Sequence, residues 1–287
     1  MVRNERVPVN GGRATEGWLV QITALRRYPV KSMLGEDVQE LTVEESGATG
    51  DRALAVIDVA TGRVATAKQP RLWRRLLQCS ATGDPGRVRI SLPDGRTTTA
   101  DGGAADDLLT EMLGREVRLA GRRPEGAEME RPDPEDVLAH GVDATLDYAT
   151  LPVAGGTPGV SFVDFAALHM ITTATLDHLG IEALRYRPNL IVATPAGFPP
   201  FGENDWTGRE LSFGGVRSTA ITPTPRCAVP TLEHGDLPRS PQAVRRPMAE
   251  NRVDVDIPGL GALPCVGLYL SVTQGGTLRT GDHLEIG

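Results

Sequence analysis

Cysteine is scarce in this sequence of 287 residues, which holds three, Cys79, Cys227 and Cys265, far apart along the chain. That is too few and too scattered for a disulfide framework, and with no C-x-x-C pair a structural zinc site is disfavoured. An iron–sulfur cluster ligated by the chain's own cysteines is excluded, because it needs four thiolates. Aromatic residues are only 4% of the chain, which disfavours base-stacking platforms. Basic excess is missing too: a net charge of −7 argues against a general nucleic-acid binder. No apolar run approaches the length of a bilayer, since the longest, residues 263–272, is broken by Pro264, Gly267 and Ser271. The five histidines show no H-E-x-x-H spacing, and neither a phosphate-binding glycine loop nor a G-x-S-x-G elbow occurs. Nucleotide binding and serine hydrolysis therefore rank low.

An apolar content of 40% beside 23% charged residues is that of a soluble globular protein. Residues 1–17, polar and without an apolar core, are expected to be a disordered leader and not a signal peptide. With an odd cysteine count, a reducing and cytoplasmic setting is the expectation. Alternation from Trp18 through Val20, Ile22 and Ala24 predicts a first strand, and residues 37–43, 53–58, 76–80 and 87–92 predict more. Pro93-Asp94-Gly95 reads as a hairpin turn, and residues 106–113 as a short helix stopped by Gly114. Many short strands with one helix suggest a barrel or sandwich. Residues 121–159 shift toward Pro, Gly, Glu and Asp and read as a domain boundary. Beyond them, Thr172 or Thr173 can cap a helix ending at Gly180, and the remaining segments alternate as strands. The fold class expected is mainly β (β/α+β) with a few short helices, divided into 1–17, 18–121 and 122–287.

The stretch from Tyr186 to Cys227 carries the densest chemistry. Arg187-Pro188-Asn189 offers a planar cationic fork for an anion and an amide for a heterocycle edge, with Pro188 expected to hold Arg187 extended. Cys227 follows Pro223 and Pro225 and precedes Pro230, so its thiol sits on a stiff segment; Arg226 would lower its pKa if the guanidinium faces the sulfur. Alone, Cys227 is as readily a small core hydrophobe, and Arg187 an ordinary surface arginine. Lys31-Ser32 and Asp51-Arg52 are cationic points at strand edges, where salt bridges or solvated charges are the usual fate. Cys79 and Cys265 lie inside strand patterns and read as inert.

Together, Tyr-Pro-Val-Lys-Ser at 28–32, Gly-Asp-Arg at 50–52, Tyr-Arg-Pro-Asn at 186–189 and Arg-Cys at 226–227 resemble, in order and spacing, the MOSC family. Within it the likeness is to the amidoxime-reducing group, whose larger members place a β-barrel domain before the MOSC β-barrel domain. The resemblance implies a molybdenum cofactor (Mo-molybdopterin) with Cys227 as the protein ligand of the metal and as the catalytic position. It implies that Lys31, Ser32, Arg52, Arg187 and Asn189 hold the pterin and its phosphate, with Thr172 and Thr173 against the cofactor. It further implies reduction of N-hydroxylated small molecules, with electrons from a separate ferredoxin- or flavin-type donor protein and no nucleic-acid or membrane partner. Relatives often carry Cys-Ser-Arg-Cys where this chain has Thr224-Pro225-Arg226-Cys227, so Pro225 lacks the donors a serine would offer. Two other readings stay open: a sulfur carrier or cofactor-delivery protein using Cys227 as a persulfide site, and a β-barrel module binding a small anion.

Overall fold

The computed structural model describes residues 20–257 and 259–287; the expected leader, 1–17, lies outside them. A nine-stranded sheet organises the chain. It runs from Leu284–Ile286 through Glu210–Phe213, Val216–Pro225, Ala262–Gln274, Leu168–Thr172, Leu190–Ala193 and Gln21–Arg27 to Glu36–Val38, with Arg252–Asp254 added against Ala262–Gln274. Every pairing is antiparallel except Leu168–Thr172 with Leu190–Ala193. Those two are parallel because the helix Thr173–Leu179 crosses between them. Thr172 caps that helix by accepting from the Thr175 amide, and left-handed Gly180 ends it. The core behind the sheet includes Ile22, Leu25, Met170, Leu190, Leu211, Leu268 and Leu278.

A second core, with Val30, Met33, Val56, Leu76, Ile90 and Leu109, lies under the smaller sheets of the first half. Ala55–Asp58 pairs with Val117–Ala120, while Ser80–Thr82, Arg89–Ser91 and Thr97–Thr99 form a meander. The helix Ala104–Leu113 buries Ala105, Leu109 and Met112 along one stripe and stops at Gly114.

The expected division near residue 121 is not a division of the sheet. Gln21–Arg27 pairs with Leu190–Ala193 in the main sheet, and Glu40–Glu44 pairs with Gly276–Arg279 in a separate three-stranded sheet, so strands from the beginning of the chain pair with strands of its end in both. Period-two alternation marks a strand without naming its partner, which is why the crossing was not legible. Residues 121–159 are no bare linker either: Glu128–Pro132 and Tyr148–Pro152 pair, with the helix Pro134–His140 between them. Three local expectations also change. A bulge between Ile22 and Ala24 moves the inward position from Ala24 to Leu25. Of the strand expected at 76–80, residues 76–78 belong instead to the 3-10 helix Arg74–Gln78, which precedes the strand Ser80–Thr82. The helix Gln242–Glu250 was unread, because Pro247 sits inside it.

The long central strand accommodates its neighbour at Gly267, whose φ is +74° and whose missing Cβ would stand 2.2 Å from the Met170 carbonyl oxygen. Both the left-handed backbone and the space demand glycine. Gly267→Ala is expected to destabilise the protein by about 2 kcal/mol or more, read as a fall in the midpoint of denaturant unfolding; an unchanged midpoint would contradict this close packing.

Candidate functional site

A cavity of about 260 Å³ opens between the first-half core and the main sheet. Of the residues singled out from the sequence, Lys31, Ser32, Arg52, Arg187, Asn189 and Cys227 all line it. Thr172 and Thr173 do not. Thr172 is buried at the helix start, where its hydroxyl serves Glu203 Oε2 at 2.9 Å, and Thr173 Oγ1 accepts from the Thr194 amide. Their polarity is used to begin a helix and steady the adjoining strand.

Three of those lining residues hold left-handed backbone without being glycine: Ser32 (φ 66°), Arg52 (φ 44°) and Arg187 (φ 57°). Such conformations cost roughly 1–3 kcal/mol each and persist where the surroundings over-determine them. For Arg187 this overturns the extended geometry expected before Pro188. It ends the helix Ala183–Tyr186, and its amide bonds back to Ala183 O at 3.2 Å and Leu184 O at 3.3 Å. Helix termination outweighs the pre-proline preference here.

The local hub is Tyr28, fully buried, with the Arg52 and Arg187 guanidinium carbons each 4.4 Å from its ring centroid. Arg52 is paired with Asp51 at 2.5 Å and donates to Asn189 Oδ1 and to Arg187 O. Burial opposes its charge, but Asp51 prevails and its pKa is raised. Arg187 has only the Met33 carbonyl for Nη1, at 2.7 Å, and its Nη2 is buried without a partner. Burial, with repulsion from Arg52 second, pulls Arg187 down to about 10. Asn189 is a scaffold side chain: its amide accepts from the His169 amide and donates to Arg26 O, each at 3.2 Å. The Ser32 hydroxyl likewise accepts from the Ala67 amide at 3.0 Å.

Several lining residues were not singled out from the sequence, Asp164, Lys68, Arg131 and Tyr269 among them. Asp164 is clamped between Lys31, which also donates to Phe162 O at 2.8 Å, and Lys68 at 3.0 Å. Despite its own burial, the two ammonium groups hold its carboxyl well below the usual range. Burial, opposed by Asp164, brings Lys31 down to about 8. Arg131 and Tyr269 complete the wall. His169, one of the five histidines without a metal-ligand spacing, also lines the cavity and is kept neutral by burial and by Arg226. Isolated charges such as Lys68 and Asp164 look like solvated surface in a sequence; the faint signal for Arg131 is its two-residue spacing from Met129 on one strand, which puts both on one face.

Cys227 is half-buried at the cavity, whereas burial pushes Cys79 and Cys265 up to about 12 each. Arg226 does not reach out to a ligand: it donates to His169 Nε2, to Val266 O and, at 3.0 Å, to Tyr186 O. Beyond Cys227 the chain is anchored by buried Arg185, which donates to Leu232 O at 3.0 Å and Pro238 O at 2.8 Å. Among the described residues no group of three His, Cys, Asp or Glu side chains could hold a metal ion. A metal in this cavity would thus need ligands from a cofactor, with Cys227 offering one soft thiolate. The site fits such a group: it has Arg187 Nη2 and Thr224 Oγ1 buried without partners, several cations for a phosphate, and one accessible thiol. Pro225, paired in register with Cys265, offers no N–H to it.

The MOSC N-terminal beta barrel domain matches residues 19–127 and the MOSC domain residues 158–285. Mitochondrial amidoxime reducing component 2 from Rattus norvegicus is 28% identical over 132 residues, which are 43% of this chain and 37% of that protein. The match thus spans little more than a third of that relative. Among solved structures, the YuaD protein from Bacillus subtilis aligns with a TM-score of 0.42 at 11% identity, covering 93% of this chain and 95% of that one. YiiM from Geobacillus stearothermophilus aligns with a TM-score of 0.30 at 16% identity, over 56% and 72%.

Two outcomes follow from the protonation states and the packing. Folded Lys31 binds its proton less tightly than the unfolded side chain, whose value is 10.5. The unfolded state therefore carries more protons between about pH 8 and 10, and stability contributed at this site rises across that window. Lys31→Met is expected to flatten that rise in urea unfolding; an unaltered pH slope would argue against a depressed Lys31. Iodoacetamide on native protein is expected to modify Cys227 alone, with Cys79 and Cys265 reacting only after unfolding, as read by peptide mass spectrometry.

Proposed function

The chain belongs to the MOSC family, and on that premise we propose that it is a molybdenum cofactor-binding oxidoreductase that reduces N-hydroxylated compounds. The observation that carries the reading is the half-buried Arg187, which has no salt bridge among the described residues and whose Nη2 is buried without a partner in the same cavity as the half-buried Cys227 thiol. A guanidinium nitrogen buried without a hydrogen-bond partner is costly unless a ligand such as an anion completes it. Arg187 and Arg52 would hold the phosphate of the cofactor, and Cys227 would be the metal's protein ligand, deprotonated on coordination. Lys31 and Ser32 border the same space from the first half, and Asn189 acts by fixing Arg52 and the His169 backbone.

When bound, the cofactor supplies the two-electron redox chemistry. What the chain contributes is binding, orientation and the exclusion of water by the apolar side chains at the cavity, among them Leu151, Val163 and Phe165. Tyr28 stays protonated, because burial raises its pKa beyond what the nearby arginines offset, so its hydroxyl keeps donating to Pro188 O at 3.2 Å and holds the Arg-Pro-Asn turn. Electrons would come from a separate ferredoxin- or flavin-type protein. The name of the rat relative, an amidoxime reducing component, supports this substrate class.

Protein from a cofactor-competent host is expected to carry molybdenum and pterin in near-equimolar amounts. Cys227→Ala should lose most of the metal, and Arg187→Gln should weaken pterin retention by about tenfold or more, the loss of charge-assisted hydrogen bonds. Wild-type protein without pterin, but with a persulfide on Cys227 by mass spectrometry, would replace this reading with sulfur carriage.

A further inference from the structure

The charges around the cavity do not all have a use in holding a cofactor. Arg52 is paired with Asp51, and Lys31 and Lys68 share Asp164. Arg226 gives both terminal nitrogens to His169 and backbone carbonyls of the wall, and only its Nε, buried behind them, lacks a partner. Arg187 is free for the phosphate. One cation is left over. Arg131 is only 7% exposed, lines the cavity, and among the described residues has no carboxylate partner; its single hydrogen bond is from Nη2 to Arg226 O at 3.5 Å. That bond sets its head group at the backbone of the residue preceding Cys227. It arrives from the hairpin strand Glu128–Pro132, on the same face as Met129, whose sulfur is 3.7 Å from Lys68 Nζ. With one long neutral contact and no carboxylate, this little-exposed guanidinium keeps donors to spare for an anionic ligand in the cavity.

We propose that Arg131 is a specificity residue that binds an anionic group of the substrate, so that the substrates favoured are N-hydroxylated compounds bearing a carboxylate or similar oxyanion. This rests on the oxidoreductase reading above. A planar fork beside Cys227 suits a carboxylate in two-point contact, and Lys68, half-neutralised by Asp164, adds to the positive potential on that side. The apolar residues Leu151, Phe165, Ile257 and Leu260 at the same cavity suit the body of such a molecule.

The test compares wild type with Arg131→Gln and Arg131→Lys in protein as purified, by calorimetric titration with benzoate. Benzoate affinity is expected to fall about tenfold or more in Arg131→Gln, with partial recovery in Arg131→Lys, while molybdenum and pterin contents match wild type. In turnover, the preference for para-carboxybenzamidoxime over benzamidoxime, read as the ratio of their kcat/KM values, should fall by a similar factor. Equal benzoate affinity in wild type and Arg131→Gln would overturn the proposal. So would loss of pterin from Arg131→Gln, which would make Arg131 part of the cofactor's cradle. Absence of molybdenum and pterin from wild type is a separate outcome: it would overturn the oxidoreductase reading and with it the substrate role, while the titration would still show whether Arg131 binds anions.

Discussion

Two guanidinium groups stacked on one tyrosine ring, with one buried carboxylate beside them, hold the candidate site together. Arg52 and Arg187 lie 4.4 Å from the centroid of Tyr28, and Asp51 accepts from both Arg52 and the Tyr28 amide. Like charges brought this close into the interior repel, and burial adds a desolvation cost. The ring quadrupole offsets part of that, by roughly 0.5–2 kcal/mol per cation, and Asp51 offsets more. Arg52 comes from the first half of the chain and Arg187 from the second, so the cluster is also where the halves are locked in register. Both arginines hold left-handed backbone in this cluster, and the ring's hydroxyl ties down the carbonyl of Pro188.

This arrangement leaves a graded set of charges. Arg52 has its carboxylate; Arg187 has a carbonyl and a nitrogen with no partner. The residue with the better partner fixes position, and the residue with the poorer one keeps capacity for a ligand. Lys31, Lys68 and Asp164 repeat the theme a short way off, where a carboxylate holds two ammonium groups whose charge would otherwise be hard to keep in a cavity. A polyanionic ligand would meet a surface whose positive charge the protein's own acids already hold in place.

Much of this could be read from the residues, and the exceptions have physical causes. Lys31, Ser32, Arg52, Arg187, Asn189 and Cys227, each weak as a signal alone, were brought together by the resemblance of their motifs to the MOSC family, and one cavity collects all six. The helix after Thr172 was legible because a hydroxyl before an apolar run and a glycine after it are local signals. What Thr172 and Thr173 do with their hydroxyls was not, since only the fold decides which way a capping residue faces. Arg187 defied the pre-proline rule because ending the helix Ala183–Tyr186, with its amide bonded back to Ala183 and Leu184, outweighed the local preference. Asp164, Lys68 and Arg131 were missed for a common reason: a lone charge in a loop or hairpin carries no mark of whether it will be solvated or enclosed.

The hairpin around Arg131 changes what the region between residues 121 and 159 means. Its composition, rich in Pro, Gly and acids, reads as a domain boundary, and it carries Met129 and Arg131 into the cavity and Val137 into a core with Leu77 and Val229. Arg226, the cation nearest to Cys227 in sequence, is turned into the wall, so the charge near the thiol that remains open to a ligand has to come from elsewhere. The connecting hairpin provides it. On the proposed reading, the two tasks of the pocket then fall to different segments. The Tyr28–Arg52–Arg187 cluster retains the cofactor, and the hairpin selects the substrate. A change at Arg131 could retune the second without disturbing the first, because the two share no hydrogen bond among the described residues.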